Sequence, residues 1–239
     1  MADLINQFKN YFRAFVKHPS QFSEVHPTKI CPICDYEGIF LDLGNRVQAR
    51  CPNCSSKERD RLLGLHFKKL NFDAENSKIL HFSAEKPFWR RWKKFPHYVA
   101  GDIKKSSVAN AVVDITGLKF SDNYFDVIIC NHVLEHVKAD ILAMNECFRV
   151  LKRGGAAYFS VPIQKDRIQS WEPPEGMPIE EIEKICGWDH VRLYGTDIAD
   201  KLTEIGFEVS TVQYSDEEDA LHCLRDKTSN DLVFICVKQ

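Results

Sequence analysis

Three linked runs near the middle of the chain constrain its fold most: Asp114-Ile-Thr-Gly-Leu-Lys-Phe120, Phe125-Asp-Val-Ile-Ile-Cys-Asn-His-Val-Leu-Glu-His136 and Arg149-Val-Leu-Lys-Arg-Gly-Gly155. An acidic turn feeds a short continuous apolar run, the run ends in polar residues, and a helical stretch follows before Gly154-Gly155. Short apolar runs of this kind are strands covered on both faces, as in a parallel sheet. Open α/β sheets hold ligands just beyond the carboxyl ends of such strands. The pattern repeats from Lys78 onward, with strands expected at Ile79–Phe82, Tyr98–Gly101, Ala111–Asp114, Phe125–Asn131 and Ala156–Val161. A helix is expected over Ala139–Lys152, with Ile141, Met144, Phe148 and Leu151 on one side and the two glycines as its stop. Pro162, Pro173, Pro174, Gly176 and Pro178 mark residues 162–195 as a long loop of the lid or binding kind. A helix near Thr196–Glu204 follows, and the apolar runs Phe207–Tyr214 and Leu232–Val237 can pair at one sheet edge.

Ahead of this pattern the chain reads differently. Leu4, Ile5, Phe8, Tyr11, Phe12, Phe15 and Val16 recur at three- and four-residue steps, so residues 1–28 are expected to hold an amphipathic helix. Its stripe suits packing on the rest of the protein or on a second copy in a homodimer. Lys9, Arg13 and Lys17 beside the stripe also fit a membrane surface. The charges in the first twenty residues argue against a signal peptide. No apolar run approaches the roughly 18 residues that span a bilayer. The net charge of −2 gives no global push toward nucleic acid. Nine cysteines without an export signal point to a reducing, cytoplasmic setting. Five of them, Cys130, Cys147, Cys186, Cys223 and Cys236, read as small buried hydrophobes.

The other four form two Cys-x-x-Cys knuckles, Cys31-Pro-Ile-Cys34 and Cys51-Pro-Asn-Cys54, separated by sixteen residues. Each knuckle puts two thiolates on one tight turn, and two knuckles complete a tetrahedral zinc set with no open position, a structural site. Residues 29–72 are therefore expected to be a zinc ribbon with a linking helix, and residues 73–239 the main domain. Lys57, Arg59, Arg61, Lys68 and Lys69 follow the ribbon. They read as a solvated helix face, with contact to nucleic acid as the alternative.

From Lys78 to Ile163 the chain resembles the class I S-adenosylmethionine-dependent methyltransferases, and in particular a subgroup with a zinc ribbon ahead of the methyltransferase domain. Trp188-Asp-His-Val-Arg-Leu-Tyr-Gly195 resembles a motif of that subgroup. The resemblance implies an α/β, Rossmann-like and mostly parallel sheet of about seven strands with an antiparallel edge, plus the small N-terminal zinc ribbon. It implies S-adenosylmethionine as methyl donor. In the family the first strand runs into a Gly-rich loop; here His81, Ser83, Ala84 and Glu85 stand at that place, without glycine. Asp102, ending the second strand, matches the carboxylate that accepts from both ribose hydroxyls. Asp114 matches the acid beside the adenine, with Ile115 adjacent. Asn131 flanks the sulfonium, and His132 is matched to positioning or deprotonating the acceptor. His190 is a second candidate base, and Arg192 and Tyr194 alternate with it, a trio suited to an anionic or polyhydroxylated acceptor.

The resemblance implies methyl transfer to an acceptor, with a small molecule or sugar favoured. One alternative is an RNA or protein methyltransferase that uses the ribbon and Trp89-Arg-Arg-Trp-Lys-Lys94 to hold its substrate. Another is a binding module that holds the donor without catalysis. A dinucleotide dehydrogenase is disfavoured because no Gly-x-Gly-x-x-Gly follows the first strand. An α/β-hydrolase is disfavoured because no Gly-x-Ser-x-Gly occurs.

Overall fold

The computed structural model describes residues 2–17, 19–22, 28–213 and 232–239. They divide into two compact units. The first runs to Phe72 and includes Glu85–Arg91; the second comprises Asp73–Ala84, Trp92–Val212 and Leu232–Gln239.

The first unit opens with helix α1 (Ala2–Lys17) and a single 3₁₀ turn at Pro19–Phe22. Two small antiparallel hairpins follow, β1 (Lys29–Ile30) with β2 (Glu37–Gly38), and β3 (Leu41–Leu43) with β4 (Arg46–Arg50). Helix α2 (Glu58–Lys69) closes the module. Gly64 permits close approach there: a Cβ at this position would stand 2.4 Å from Ile33 Cγ1 on the first knuckle. Arg61 ties the helix to the second knuckle by donating to the carbonyls of Ala49 at 3.0 Å and Ser56 at 2.7 Å. It is fully buried and sits over the Phe40 ring. Of the basic run after the ribbon, Arg61 is thus a fixture of the interior rather than part of a charged surface, whereas Lys68 and Lys69 are exposed. On α1 the stripe residues Phe8, Phe12 and Val16 are exposed. Helix α3 (Lys86–Trp92) falls mostly within this unit.

The second unit is built on a seven-stranded sheet. Its strands are β5 (Ile79–Phe82), β6 (Tyr98–Asp102), β7 (Ala111–Val112), β8 (Phe125–Asn131), β9 (Leu151–Ser160), β10 (Phe207–Gln213) and β11 (Leu232–Lys238). They lie in the order β10-β11-β9-β8-β5-β6-β7. Strands β5 to β9 run parallel, and β11 pairs antiparallel with β9. The seven-stranded, mostly parallel sheet with an antiparallel edge is the architecture expected from the sequence. Ile79, Leu80, Ile128, Ile129, Cys130 and Phe159 are at or near zero exposure. Burying each large aliphatic or aromatic side chain contributes about 1.5–3 kcal/mol. Helices α4 (Asp140–Val150), α5 (Ile179–Cys186) and α6 (Ile198–Ile205) complete the unit.

Several boundaries differ from expectation. Helix α4 stops at Val150, and Gly154-Gly155 lie inside β9 rather than ending the helix. The β8–β9 register jumps from Phe125↔Leu151 to Val127↔Ala156, so Lys152–Gly155 form a bulge. Gly155 is needed there because a Cβ would meet the Asp126 carbonyl at 2.8 Å. The third strand ends at Val112, leaving Asp114 in the turn beyond it. The long loop 162–195 contains α5, and it is pinned by bridges between Ile163 and Tyr194 and between Trp171 and Leu193. Cys130, Cys147, Cys186 and Cys236 are buried, as the small-hydrophobe reading expects. Cys223 and Tyr214 lie outside the described residues.

Candidate functional site

A cleft of about 480 Å³ opens at the carboxyl ends of β5, β6, β7 and β8. Each strand delivers its wall in the same way, with the last strand residues and the turn that follows. Phe82 and Ser83 come from β5, Gly101, Asp102 and Ile103 from β6, Val113, Asp114 and Ile115 from β7, and His132 and Val133 from β8. His136 ends the short 3₁₀ turn Leu134–His136, Val137 follows it, and Asp189 comes from the segment after α5. Ser83, Asp102, Asp114, Ile115 and His132, five residues singled out in the sequence, therefore share one cavity.

Three of these wall residues hold left-handed backbone: Ser83 at φ 44°, His132 at φ 53° and Asp189 at φ 57°. Such conformations cost non-glycine residues roughly 1–3 kcal/mol each and persist where the surroundings enforce them. At Ser83 the enforcement is a backbone hydrogen bond to the Gly101 carbonyl at 2.8 Å. At His132 it is a hydrogen bond to the Ser160 carbonyl at 2.8 Å. The turn after β5 thus has the left-handed geometry that glycine favours, although serine occupies it.

The two acids differ in their commitments. Asp114 Oδ1 accepts from Thr116 N at 2.9 Å and Thr116 Oγ1 at 2.7 Å. Those hydrogen bonds hold its carboxyl below the usual aspartate range. Asp102 is half-buried and, among the described residues, accepts only a long bond from Lys104 N at 3.5 Å. Phe82, Ile103, Val113 and Ile115 give the cleft apolar surface beside the two carboxylates. A cavity of this size, mostly apolar with a few convergent acceptors, suits a nucleoside-sized ligand with hydroxyl and amine donors.

On the β8 side, His132 Nδ1 lies 3.2 Å from Glu135 Oε1, and Glu135 is only 2% exposed. His136 Nδ1 lies 3.0 Å from Asp189 Oδ1, and the His136 and His190 rings meet edge to face with centroids 4.8 Å apart. The segment carrying Asp189 and His190 is clamped to the loop carrying His136. Val191 N donates to the Glu135 carbonyl at 2.8 Å. Arg192 donates to the carbonyls of Leu134 at 3.2 Å, Val137 at 2.5 Å and Lys138 at 2.9 Å, and to Glu172 at 2.9 Å. Burial by itself would disfavour the Arg192 charge, but the Glu172 hydrogen bond and the nearby acids outweigh it and hold the guanidinium above its ordinary pKa. Tyr194 donates to Asp140 Oδ2 at 2.7 Å.

Arg192 and Tyr194 are therefore corrected. Both are buried, at 3% and 0% exposure, and neither lines the cleft. Alternation would point His190, Arg192 and Tyr194 the same way only on a free extended segment. Here the carbonyls of Leu134, Val137 and Lys138 and the carboxylates of Asp140 and Glu172 take their donors from Arg192 and Tyr194. His81 is likewise buried, hydrogen-bonded to the Tyr98 hydroxyl at 2.9 Å, and not part of the wall. Ala84 and Glu85 are also outside the wall, and Asn131 accepts from Ser160 Oγ at 3.1 Å. His190 stands behind His136 rather than on the wall itself. Sequence reasoning missed His136 and Asp189 as wall residues, although Asp189 directly precedes His190 and His136 lies four residues after His132.

In the first unit the two knuckles repeat one geometry. Asp35 N donates to the Cys31 carbonyl at 2.8 Å and Ser55 N to the Cys51 carbonyl at 2.9 Å, with Asp35 and Ser55 both left-handed. Cys31, Cys34, Cys51 and Cys54 come together, with Sγ–Sγ separations of 3.7 Å for Cys31–Cys54 and Cys34–Cys51. Hydrogen bonding from Cys34 holds the Cys31 thiol down, while burial pushes Cys51 up.

Residues 89–159 match the family model of a methyltransferase domain. No curated protein matches the chain. Among solved structures, the chain is similar to an S-adenosylmethionine-dependent methyltransferase from Archaeoglobus fulgidus, at 14% identity over 75% of this chain and 94% of that one, with a TM-score of 0.50. It is similar to the 1,6-didemethyltoxoflavin-N1-methyltransferase of Burkholderia thailandensis, at 13% identity over 76% of this chain and 78% of that one, TM-score 0.50. The Haemonchus contortus phosphoethanolamine N-methyltransferase 2 in complex with S-adenosyl-L-methionine matches at 13% identity over 75% of this chain and 52% of that one, TM-score 0.50. Likeness at these identities is likeness of fold. The second unit has the α/β architecture of S-adenosylmethionine-dependent methyltransferases, and the chain carries a methyltransferase-domain match across its central strands.

Proposed function

We propose that the chain transfers a methyl group from S-adenosylmethionine to a small-molecule or sugar acceptor. One observation carries this reading: Asp102 and Asp114, from the ends of neighbouring parallel strands, face the same cleft as His132 at the end of β8. When bound, the donor supplies a methyl group already activated by its sulfonium. The residues then have three tasks. Asp102, with little else to accept, takes the ribose hydroxyls, and Asp114 takes the adenine amine beside Ile115. Ser83 keeps the turn after β5 open in a left-handed conformation. His132, its Nδ1–H donated to Glu135, keeps Nε2 free to orient a hydroxyl acceptor or take its proton. Holding reactants in attack geometry supplies roughly 7–11 kcal/mol, so a modest acid–base apparatus suffices.

The four-cysteine cluster supports a structural zinc ion. Its 3.7 Å sulfur separations match the edge of about 3.8 Å expected for a tetrahedron with Zn–S near 2.3 Å. All four ligand positions are protein sulfurs, so such an ion would brace the module and take no part in transfer.

A macromolecular acceptor is less well supported. Trp92 of the Trp89–Lys94 cluster is buried and offers no stacking face, and Arg91 Nη1 is engaged by the Ile33 carbonyl. The test is calorimetry with S-adenosylmethionine and S-adenosylhomocysteine. Binding of both, weakened by roughly 10- to 100-fold in Asp102→Asn, is the expected result, given about 1.5–3 kcal/mol for hydrogen bonds to a charged group. No binding of either compound, or equal binding by the variant, overturns the reading.

A further inference from the structure

Glu135, His136 and His190 are not needed to hold the donor, yet they converge beside the cleft. One ligand atom from each lies within 4.8 Å of those of the other two. Glu135 is 2% exposed; its Oε1 accepts from His132, and its Oε2 is buried with no hydrogen-bond partner among the described residues. A carboxylate oxygen left in that state calls for a cation or a strong donor. The other two members of the cluster, each within 4.8 Å of a Glu135 oxygen, are imidazoles, which are metal ligands in their neutral form. His136 is prepared for that role: its Nδ1 donates to the Asp189 backbone carbonyl at 3.0 Å, with Asp189 Oδ1 also 3.0 Å away, which places the proton on Nδ1 and leaves the Nε2 lone pair available. A carbonyl or carboxylate oxygen behind a histidine is the arrangement that orients metal-binding imidazoles. The backbone invests in the same spot, since Asp189 adopts φ 57° and Arg192 locks its segment to the loop bearing His136.

We infer that Glu135, His136 and His190 form a binding site for a first-row divalent cation at the acceptor end of the cleft. Two histidines and one carboxylate on one side of an ion leave open coordination positions. His136 and Asp189 are wall residues, so the site borders the cavity and such positions would be within reach of a ligand bound there. An acceptor presenting two adjacent oxygens, a vicinal diol or catechol-like pair, fits them as a bidentate chelate. The cation would lower the hydroxyl pKa: the O–H bond breaks, the electron pair stays on oxygen and is neutralised by the ion, and the proton passes to solvent or a neighbouring base. The acceptor class rests on the methyltransferase reading; the cation site does not.

The experiment uses the full chain purified with its ribbon metal in place. Mn²⁺ is the probe, because it disfavours thiolates and reports by electron paramagnetic resonance. One Mn²⁺ per chain is expected, with histidine nitrogen couplings in its pulsed spectrum, and affinity at least tenfold weaker in both Glu135→Gln and His190→Ala. Glu135 is buried and its variant can unfold, so the half-buried His190 provides the second variant. S-adenosylhomocysteine affinity measured on each variant reports whether the fold persists. No specific Mn²⁺, no nitrogen coupling, or equal affinity in a folded His190→Ala protein overturns the site. Catechol, but not phenol, is then expected to displace water from bound Mn²⁺, read as a fall in water-proton relaxation; no difference between them overturns the acceptor class. Mn²⁺ binding without S-adenosylhomocysteine binding retains the cation site and discards the methyltransferase reading, so the two failures are distinct.

Discussion

Arg192 donates from Nη1 to the carbonyl oxygen of Val137 at 2.5 Å, and this bond joins two stretches of chain 55 residues apart that each contribute to the cleft wall. The same guanidinium engages Leu134, Lys138 and Glu172 and lies 3.3 Å from Asp140. The geometry of His136 and Asp189 therefore depends on a side chain that never reaches the cavity.

Replacing Arg192 by Met is expected to cost about 3–5 kcal/mol, because it strips a buried charge partner from Asp140 and the donors from three backbone carbonyls. Arg192→Lys is expected to recover little of this, since one ammonium cannot span the same fork of acceptors. Denaturant unfolding of the two variants measures it. A loss below about 1 kcal/mol for Arg192→Met would show that the clamp is dispensable.

Ser83 tests the turn after β5. Left-handed backbone costs an L-residue roughly 1–2 kcal/mol, while glycine adds about 0.5–1 kcal/mol of unfolded-state entropy. Ser83→Gly is therefore expected to be neutral or stabilising by up to about 1 kcal/mol, and Ser83→Val to destabilise by more than 1 kcal/mol because of its branched Cβ. Thermal unfolding of the pair decides it; a destabilised glycine variant would contradict the strain assigned to φ 44°.

Asp60 gives the first unit a pH dependence of known sign. It is 3% exposed and accepts from Lys57 N at 2.8 Å; burial, then the charge of Glu85, push its carboxyl from 3.8 up to about 7. A carboxyl whose folded pKa exceeds its unfolded one favours folding fully below the unfolded value, and that contribution fades as pH rises through the folded value. Asp60→Asn keeps the acceptor and removes the titration. The variant is expected to gain stability relative to the parent as pH climbs from about 4 to 7 and to hold that gain above it, followed by thermal unfolding across that range. Parallel curves would show that Asp60 titrates near its ordinary value.

Zinc removal should act on the ribbon and spare the donor site. Dialysis against a strong chelator, or Cys31→Ser, is expected to expose amides of residues 29–72 to hydrogen exchange, because metal binding supplies most of the folding energy of such a module. S-adenosylhomocysteine affinity is expected to change by less than about threefold, given that no cleft wall residue belongs to the first unit. Protection of the knuckles that persists without metal would refute the structural zinc.

The wall of the cleft was partly legible from residue order, because strand ends place their last residues at one edge of a parallel sheet wherever the helices pack. That rule located Ser83, Asp102, Asp114 and His132. Arg192 and Tyr194 rested instead on their alternation with His190, and both are buried. The rule passed over His136 and Asp189, whose partnership joins positions 53 residues apart through a segment that periodicity left as loop.

By itself the sequence determined the order of strands and helices, the two cysteine knuckles and the acids that end β6 and follow β7, because apolar periodicity and ligand spacing are local properties of the chain. Only the tertiary structure decided which polar residues meet the cavity and which are spent in the interior. Burial forces every guanidinium, hydroxyl and carboxylate to find a partner, and those partners lie far away along the chain.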